Sequence, residues 1–192
     1  MKHSFLFVIP LRSAERNLRK FDTIPSMPMI PFVEKFRELG SRETRSLTVV
    51  GRDDLPDGDY GFMELYCNEP GCDCRRVMVV VVRPETGWNK FWATINYGWE
   101  SPDFYRKWAK DPSLDPAQLK GPFLDPLAAQ SRFSPVLLEL FEFLVQSPDY
   151  VQRLRDHYQL FRAAVEKGQP TSHDRQPNPE LPRNLRRRLR KR

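Results

Sequence analysis

The chain has 192 residues and a mass of 22.6 kDa, with 40% hydrophobic and 29% charged residues, which excludes wholesale disorder and fits one domain with a short appendage. No apolar run approaches the roughly 20 residues of a membrane-spanning helix, and the short run at residues 5–10 is followed by Arg12, Glu15 and Arg16 without a small-residue cleavage site, so a soluble cytoplasmic protein is expected. Net charge is +6, yet eight of the 31 basic and two of the 25 acidic residues lie in residues 169–192, leaving 23 of each sign in residues 1–168.

Residues 31–39 place Phe32, Val33, Phe36 and Leu39 at helical spacing between Pro31 and Gly40, which predicts a short helix with proline at its start and glycine at its end. Asp53, Asp54, Asp57 and Asp59 follow. With Glu64 they have the composition of a Mg²⁺ site, but a solvated loop turning at Asp57-Gly58 is the better reading, and no lysine follows Glu64 at Glu-x-Lys spacing because position 66 is Tyr66.

Residues 60–67 alternate, residues 77–82 are β-branched throughout apart from Met78, and residues 90–97 carry Phe91, Trp92, Ile95 and Tyr97. These are three predicted strands with short links, an antiparallel meander. Beyond Trp99 the pattern turns helical. Ser101-Pro102-Asp103, Ser134-Pro135 and Ser147-Pro148-Asp149 each place serine at an N-cap and proline at the first helical position. The middle helix, residues 136–145, is apolar nearly all round and is expected to be the buried one. The predicted class is α+β: a three-stranded antiparallel meander packed against C-terminal helices, occupying residues 1–168 as a single domain. Tyr97, Trp99, Phe104, Tyr105 and Trp108 have the composition of a base-stacking platform, although core packing is the commoner use of such residues.

All three cysteines, Cys67, Cys72 and Cys74, lie within eight residues at the junction of the first two predicted strands. Pro70-Gly71 suits the centre of a type II turn, which returns Cys72 and Cys74 toward Cys67. On extended backbone positions 72 and 74 point the same way and Asp73 points away. Convergent thiolates bind one zinc ion, usually with a fourth ligand, and the odd count argues against a disulfide framework. Of the histidines, His3 and His173 lie near the ends, whereas His157 falls between Leu154 and Phe161 on the inward stripe of the last helix. His157 is therefore the candidate fourth ligand, with Asp73 or water as alternatives. Arg75 and Arg76 are candidates to offset the charge of three thiolates, or to lower the pKa of Cys72 and Cys74 in a thiol-redox site.

Glu64-Leu65-Tyr66-Cys67, Cys72-Asp73-Cys74-Arg75-Arg76, Gly98-Trp99-Glu100 and Asp156-His157-Tyr158 together resemble a group of poorly characterised bacterial proteins. The resemblance covers roughly residues 60–165. Some members of that group end in a cysteine-rich SEC-C metal motif, a module associated with translocation ATPases and ribosome contact. The present chain has no second cysteine cluster of that kind.

Residues 169–192 carry four prolines and few apolar anchors, so a basic, disordered tail is expected. Arg183, Arg186, Arg187, Arg188, Arg190, Lys191 and Arg192 are its candidate nucleic-acid-binding residues, for RNA, DNA or a ribosome; no membrane partner is expected. No nucleophile elbow, zinc-protease, P-loop or dinucleotide motif is present. The sequence thus reads as a non-enzymatic accessory module stabilised by one structural zinc ion, with a basic tail. The alternative is a metal-dependent or thiol-redox enzyme using the three cysteines.

Overall fold

The computed structural model describes residues 29–87, 90–109 and 115–168. In chain order its elements are β1 (Met29–Pro31), α1 (Phe32–Lys35), α2 (Arg37–Glu43), β2 (Arg45–Val49), β3 (Gly58–Cys67), β4 (Arg76–Val82), β5 (Phe91–Gly98), α3 (Pro102–Ala109), β6 (Gly121–Leu124), α4 (Ser134–Leu144) and α5 (Pro148–Glu166). The class is α+β, and β3, β4 and β5 form the expected antiparallel meander. The sheet is larger than the meander. β1 and β2 share the outer edge of β3, β1 opposite Leu65, Tyr66 and Cys67 and β2 opposite Gly58 to Phe62, while β6 extends the sheet beyond β5. The added strands are short, and two contain proline, which edge strands tolerate because one side of their backbone needs no partner.

The predicted helix at residues 31–39 is displaced and broken. It begins at Phe32, is interrupted at Phe36 (φ −127°, ψ 66°) and continues to Glu43. Gly40 does not end it; a Cβ there would stand 2.9 Å from Val33 Cα, so the glycine permits close packing of α2 on α1. Of the three serines, Ser101 caps with its side chain, its Oγ accepting from Phe104 N–H at 3.2 Å, and Ser147 holds the N-cap position ahead of Pro148 as expected. Ser134 instead lies inside the first turn of α4, with its hydroxyl on Ser131 O, and Ser147 makes no side-chain cap bond. Helix α4 is not buried all round: Leu137, Leu140, Phe141 and Leu144 are, but Phe143 is 58% exposed, because only one stripe of the helix lies on the sheet.

Strand alternation sorts side chains onto two faces. Phe62, Glu64 and Tyr66 face α4 and α5, with Phe62 stacked on Phe141 at 6.1 Å and the Tyr66 hydroxyl donating to Leu154 O at 3.0 Å. The alternate positions, Cys67 on β3, Arg76 and Met78 on β4 and Asn96 on β5, open toward α3 and β6. Helix α3 sits close because residue 98 has no side chain. A Cβ at Gly98 would overlap Leu119 O and the ring of Tyr105, whose hydroxyl donates to Arg75 O at 2.9 Å. Gly98→Ala is accordingly expected to lower stability by roughly 1–3 kcal/mol, read from its denaturant midpoint.

The aromatic stretch packs. Tyr97 and Tyr105 are buried, Trp99 meets Tyr158 edge-on at 5.3 Å, and Arg76 lies over Trp108. The candidate tail residues Arg183, Arg186, Arg187, Arg188, Arg190, Lys191 and Arg192, together with His3 and His173, lie outside the described residues. Among those described, no helix is long and apolar enough to cross a membrane.

Candidate metal centre

The hairpin between β3 and β4 is shaped as its sequence requires. Cys72 N–H donates to Glu69 O at 3.3 Å and Gly71 has φ +72°, the left-handed value that the third position of a type II turn demands. Helix α5 holds the turn from behind. Arg162, only 8% exposed, donates to Cys67 O at 3.0 Å and Glu69 O at 2.9 Å, and Gly71 N–H donates to Glu166 Oε1 at 2.9 Å.

This arrangement brings the sulfurs of Cys67, Cys72 and Cys74 within 4.8 Å of one another; Cys67 and Cys74 are buried and Cys72 is half-buried. Tetrahedral zinc with 2.3 Å bonds needs sulfurs about 3.8 Å apart, so at most about 1 Å of contraction would seat the ion. Soft, convergent sulfur donors on one short hairpin fit zinc in both chemistry and spacing.

The three thiols behave as one titrating unit. A hydrogen bond from Cys74 draws the Cys67 thiol down to about 6 against the opposing effect of burial, with further help from the Glu69 backbone, Cys72 and the Arg162 charge. Cys74 is pushed up, first because its proton serves the Cys67 sulfur and then by burial. Cys72 is raised by burial and by the neighbouring Cys67. One sulfur thus carries the charge while the other two keep their protons. Zinc binding at pH 7 is therefore expected to release about two protons per ion, measurable in weakly buffered solution.

His157 does not join the cysteines, which corrects the expected ligand set. It faces inward as its spacing requires, but Nδ1 lies 2.7 Å from Glu64 Oε2 and Nε2 lies 3.1 Å from Glu43 Oε2. Its ring stacks on Phe32 with centroids 4.1 Å apart. Both nitrogens are occupied by carboxylates because position 157 on α5 stands over Glu64, whose side chain points to the helix-covered face, whereas Cys67 lies on the other face. Asp73 is also removed from the set. Its carboxylate accepts from Arg75 at 2.9 Å and from the Tyr158 hydroxyl at 3.3 Å.

Arg75 thus serves Asp73 and Glu100 rather than the thiols. Positive charge acts on the sulfurs from Arg162, at Cys67, and from the expected Arg76, at Cys74. Arg162 is legible in sequence only as a basic residue on the inward stripe of α5. The aspartates before β3 belong to the loop: Asp54 pairs with Arg52, Asp57 accepts from Gly51 N–H, and Asp59 accepts from the Thr48 hydroxyl.

The cysteines line a groove of about 840 Å³ together with Met29, Met78, Asn96, Trp108 and Leu119. Arg76 also lines it. Asn96 is 4% exposed; its Nδ2 donates to Asp125 Oδ2 at 2.8 Å, while its Oδ1 has no partner. Nothing in the linear pattern marks Asn96 or Asp125, which meet only because β6 adds itself to β5.

No protein-family model matches this chain, and no curated protein and no solved structure matches it.

Proposed function

We propose that the chain is a zinc-binding accessory module in which Cys67, Cys72 and Cys74 hold one ion and the ion's fourth position faces the groove. The observation that carries this reading is the convergence of three sulfurs within 4.8 Å at the groove wall, with the two protein side chains best placed in sequence to close the site engaged elsewhere. Structural zinc sites are closed by four protein ligands, whereas sites that use the metal keep a position open. Among the described residues no fourth donor joins the three thiolates, which is the pattern of the second kind.

A thiol-redox centre is the competing use of the same residues. Metal analysis of protein purified without added zinc separates the two. One equivalent of zinc, lost in Cys72→Ser and Cys74→Ser, with three titratable thiols after chelation, supports the metal reading. A single titratable thiol and no metal would replace it with a disulfide.

A second reading concerns residues 169–192, supported by their holding all of the excess positive charge beside a neutral body. Arginine runs neutralise phosphates and release counterions, so these residues are proposed to contact RNA, DNA or a ribonucleoprotein. Truncation after Lys167 is expected to abolish salt-sensitive binding to a single-stranded RNA probe. In the full chain that affinity should fall roughly 10³-fold between 50 and 200 mM salt.

A further inference from the structure

We propose that the groove beside the cysteines is the docking site for residues 5–10 of this same chain, Phe5-Leu6-Phe7-Val8-Ile9-Pro10. The proposal goes beyond the metal reading and does not depend on it, since it concerns the apolar part of the groove.

Helices α4 and α5 pack on the face of the sheet that carries Phe62, Glu64 and Tyr66. The groove lies on the other side, where Met29, Met78, Trp108, Leu119, Phe123 and Leu127 give it an apolar lining. Leu127 is 85% exposed, so its side chain is open to an occupant. An apolar concavity of about 840 Å³ is the ordinary mark of a binding site, and methionines adapt to the shape of an apolar guest.

Position in the chain selects the occupant. Met29 pairs with Cys67 and Pro31 with Leu65, so the chain before Met29 departs from β1 at the cysteine end of the groove. The 28 residues before that point contain one long apolar run, at residues 5–10. Six extended residues span about 20 Å, the scale of such a groove. The 18 residues between the run and Met29 reach about 60 Å fully extended, or about 25 Å as a coil, which is ample for the run to return to the groove. Tethering holds its local concentration on the order of millimolar, so modest apolar contacts suffice.

Charge agrees in sign. Residues 1–28 hold five basic and two acidic residues, with Arg12, Arg16, Arg19 and Lys20 closely following the run. The groove lining has three carboxylates, Glu69, Asp115 and Asp125, against Arg76 and Lys120. Glu69 and Asp115 are exposed, so they can meet cations with little loss of hydration. Residues 169–192 fit less well: they carry the charge without an apolar run, and they follow α5, which stands behind the hairpin.

The full chain carrying Phe7→p-benzoyl-phenylalanine provides the test. On irradiation this photoreactive side chain joins to C–H bonds in contact with it. The expected result is a crosslink within one molecule, from residue 7 to Met78 or to residues 119–127, mapped by peptide mass spectrometry at a yield independent of protein concentration. Adding Leu6→Asp with Val8→Asp should lower that yield about tenfold, and adding Leu127→Asp about threefold. Leu160→Asp, on α5, should leave it unchanged. Leu127 and Leu160 are both exposed, so neither change is expected to disturb the core.

Crosslinks that are absent, or spread over other surfaces, would overturn the proposal, as would a groove yield that ignores the aspartate changes in the run and at Leu127. Crosslinks between molecules that grow with protein concentration would also overturn it and assign the groove to a second copy. The zinc content of the same sample keeps the two readings apart. Bound zinc without groove crosslinks removes the docking alone, and groove crosslinks without zinc remove the metal reading alone.

Discussion

For the proposed three-cysteine metal site, chelation is expected to lower the melting temperature by about 5–15 °C without unfolding the chain at room temperature. The three cysteines close a segment of only eight residues, so the ion restricts little of the unfolded chain's freedom. The hairpin is, moreover, already held by the type II turn, by Arg162 on two carbonyls and by Glu166 on Gly71. The hydrophobic core includes Cys67 and Cys74 but is built mostly from other residues, among them the valine-rich strand β4, Phe62, Ile95, Leu137 and Phe141. Had His157 closed the site, the metal would have joined β3 to α5 across 90 residues of chain and its loss would have been far more damaging. Thermal melts with and without chelator measure the effect, and Cys72→Ser should melt near the chelated protein and ignore further chelator. Loss of the near-ultraviolet aromatic signal on chelation at 25 °C would mean that the ion carries the fold.

His157→Ala is expected to cost roughly 3–5 kcal/mol, more than any substitution at the metal site, because it leaves Glu64 buried without its cation. Glu64 is 5% exposed; its Oε2 accepts from the Tyr66 hydroxyl at 2.8 Å and faces His157, and its Oε1 has no partner. The imidazole also joins β3 to α2 through Glu43, and Arg153 on the same helix donates to Glu43 O at 3.2 Å. Replacing both members of the central pair, Glu64→Leu with His157→Leu, should cost less than the sum of the single changes, since no charge is then left stranded. A double-mutant cycle in urea measures this directly.

The same pair carries a pH dependence. Burial pulls the His157 pKa down, but hydrogen bonds and attraction from Glu64 and then Glu43 outweigh it, and the net position is above the ordinary 6.5. A raised pKa means that the folded state holds the proton more tightly than the unfolded chain. That contribution is full below about 6.5 and is lost as pH rises through the folded value. Glu43 has the opposite sign. Burial raises it, but bonds from His157 and Arg42 bring it below the ordinary 4.5, so its contribution is present above that value and fades as pH falls through the folded one. The union of α5 with β3 and α2 should therefore be strongest between about pH 4.5 and 6.5 and should weaken on either side. His157→Phe, which retains ring stacking on Phe32, should flatten the upper limb of the pH–stability curve.

The meander, the three later helices, the type II turn and the meeting of the three thiols all follow from local chemistry. β-branching at 77–82, proline at the start of α3, α4 and α5, and Pro70-Gly71 between alternating runs each act over a few residues, so they are legible in order along the chain. The same locality explains the errors. Gly40 reads as a helix stop until Val33 is known to lie against it, and the additional strands β1, β2 and β6 are stable only because β3 and β5 offer them an edge.

For the site, the sequence by itself determined the donor set and its clustering, because Cys67, Cys72 and Cys74 are bound together by a single turn. It also determined that position 157 faces inward. Which partner that ring meets was decided by the tertiary structure alone. Glu64 and Cys67 are three residues apart on one strand and so point to opposite faces of the sheet, and α5 covers the face that carries Glu64. Helical spacing reports that a side chain is buried, but only the packing of helix on sheet sets what it is buried against. The same packing leaves the cysteines on the open face, beside a groove assembled from strands and a turn that no local pattern joins.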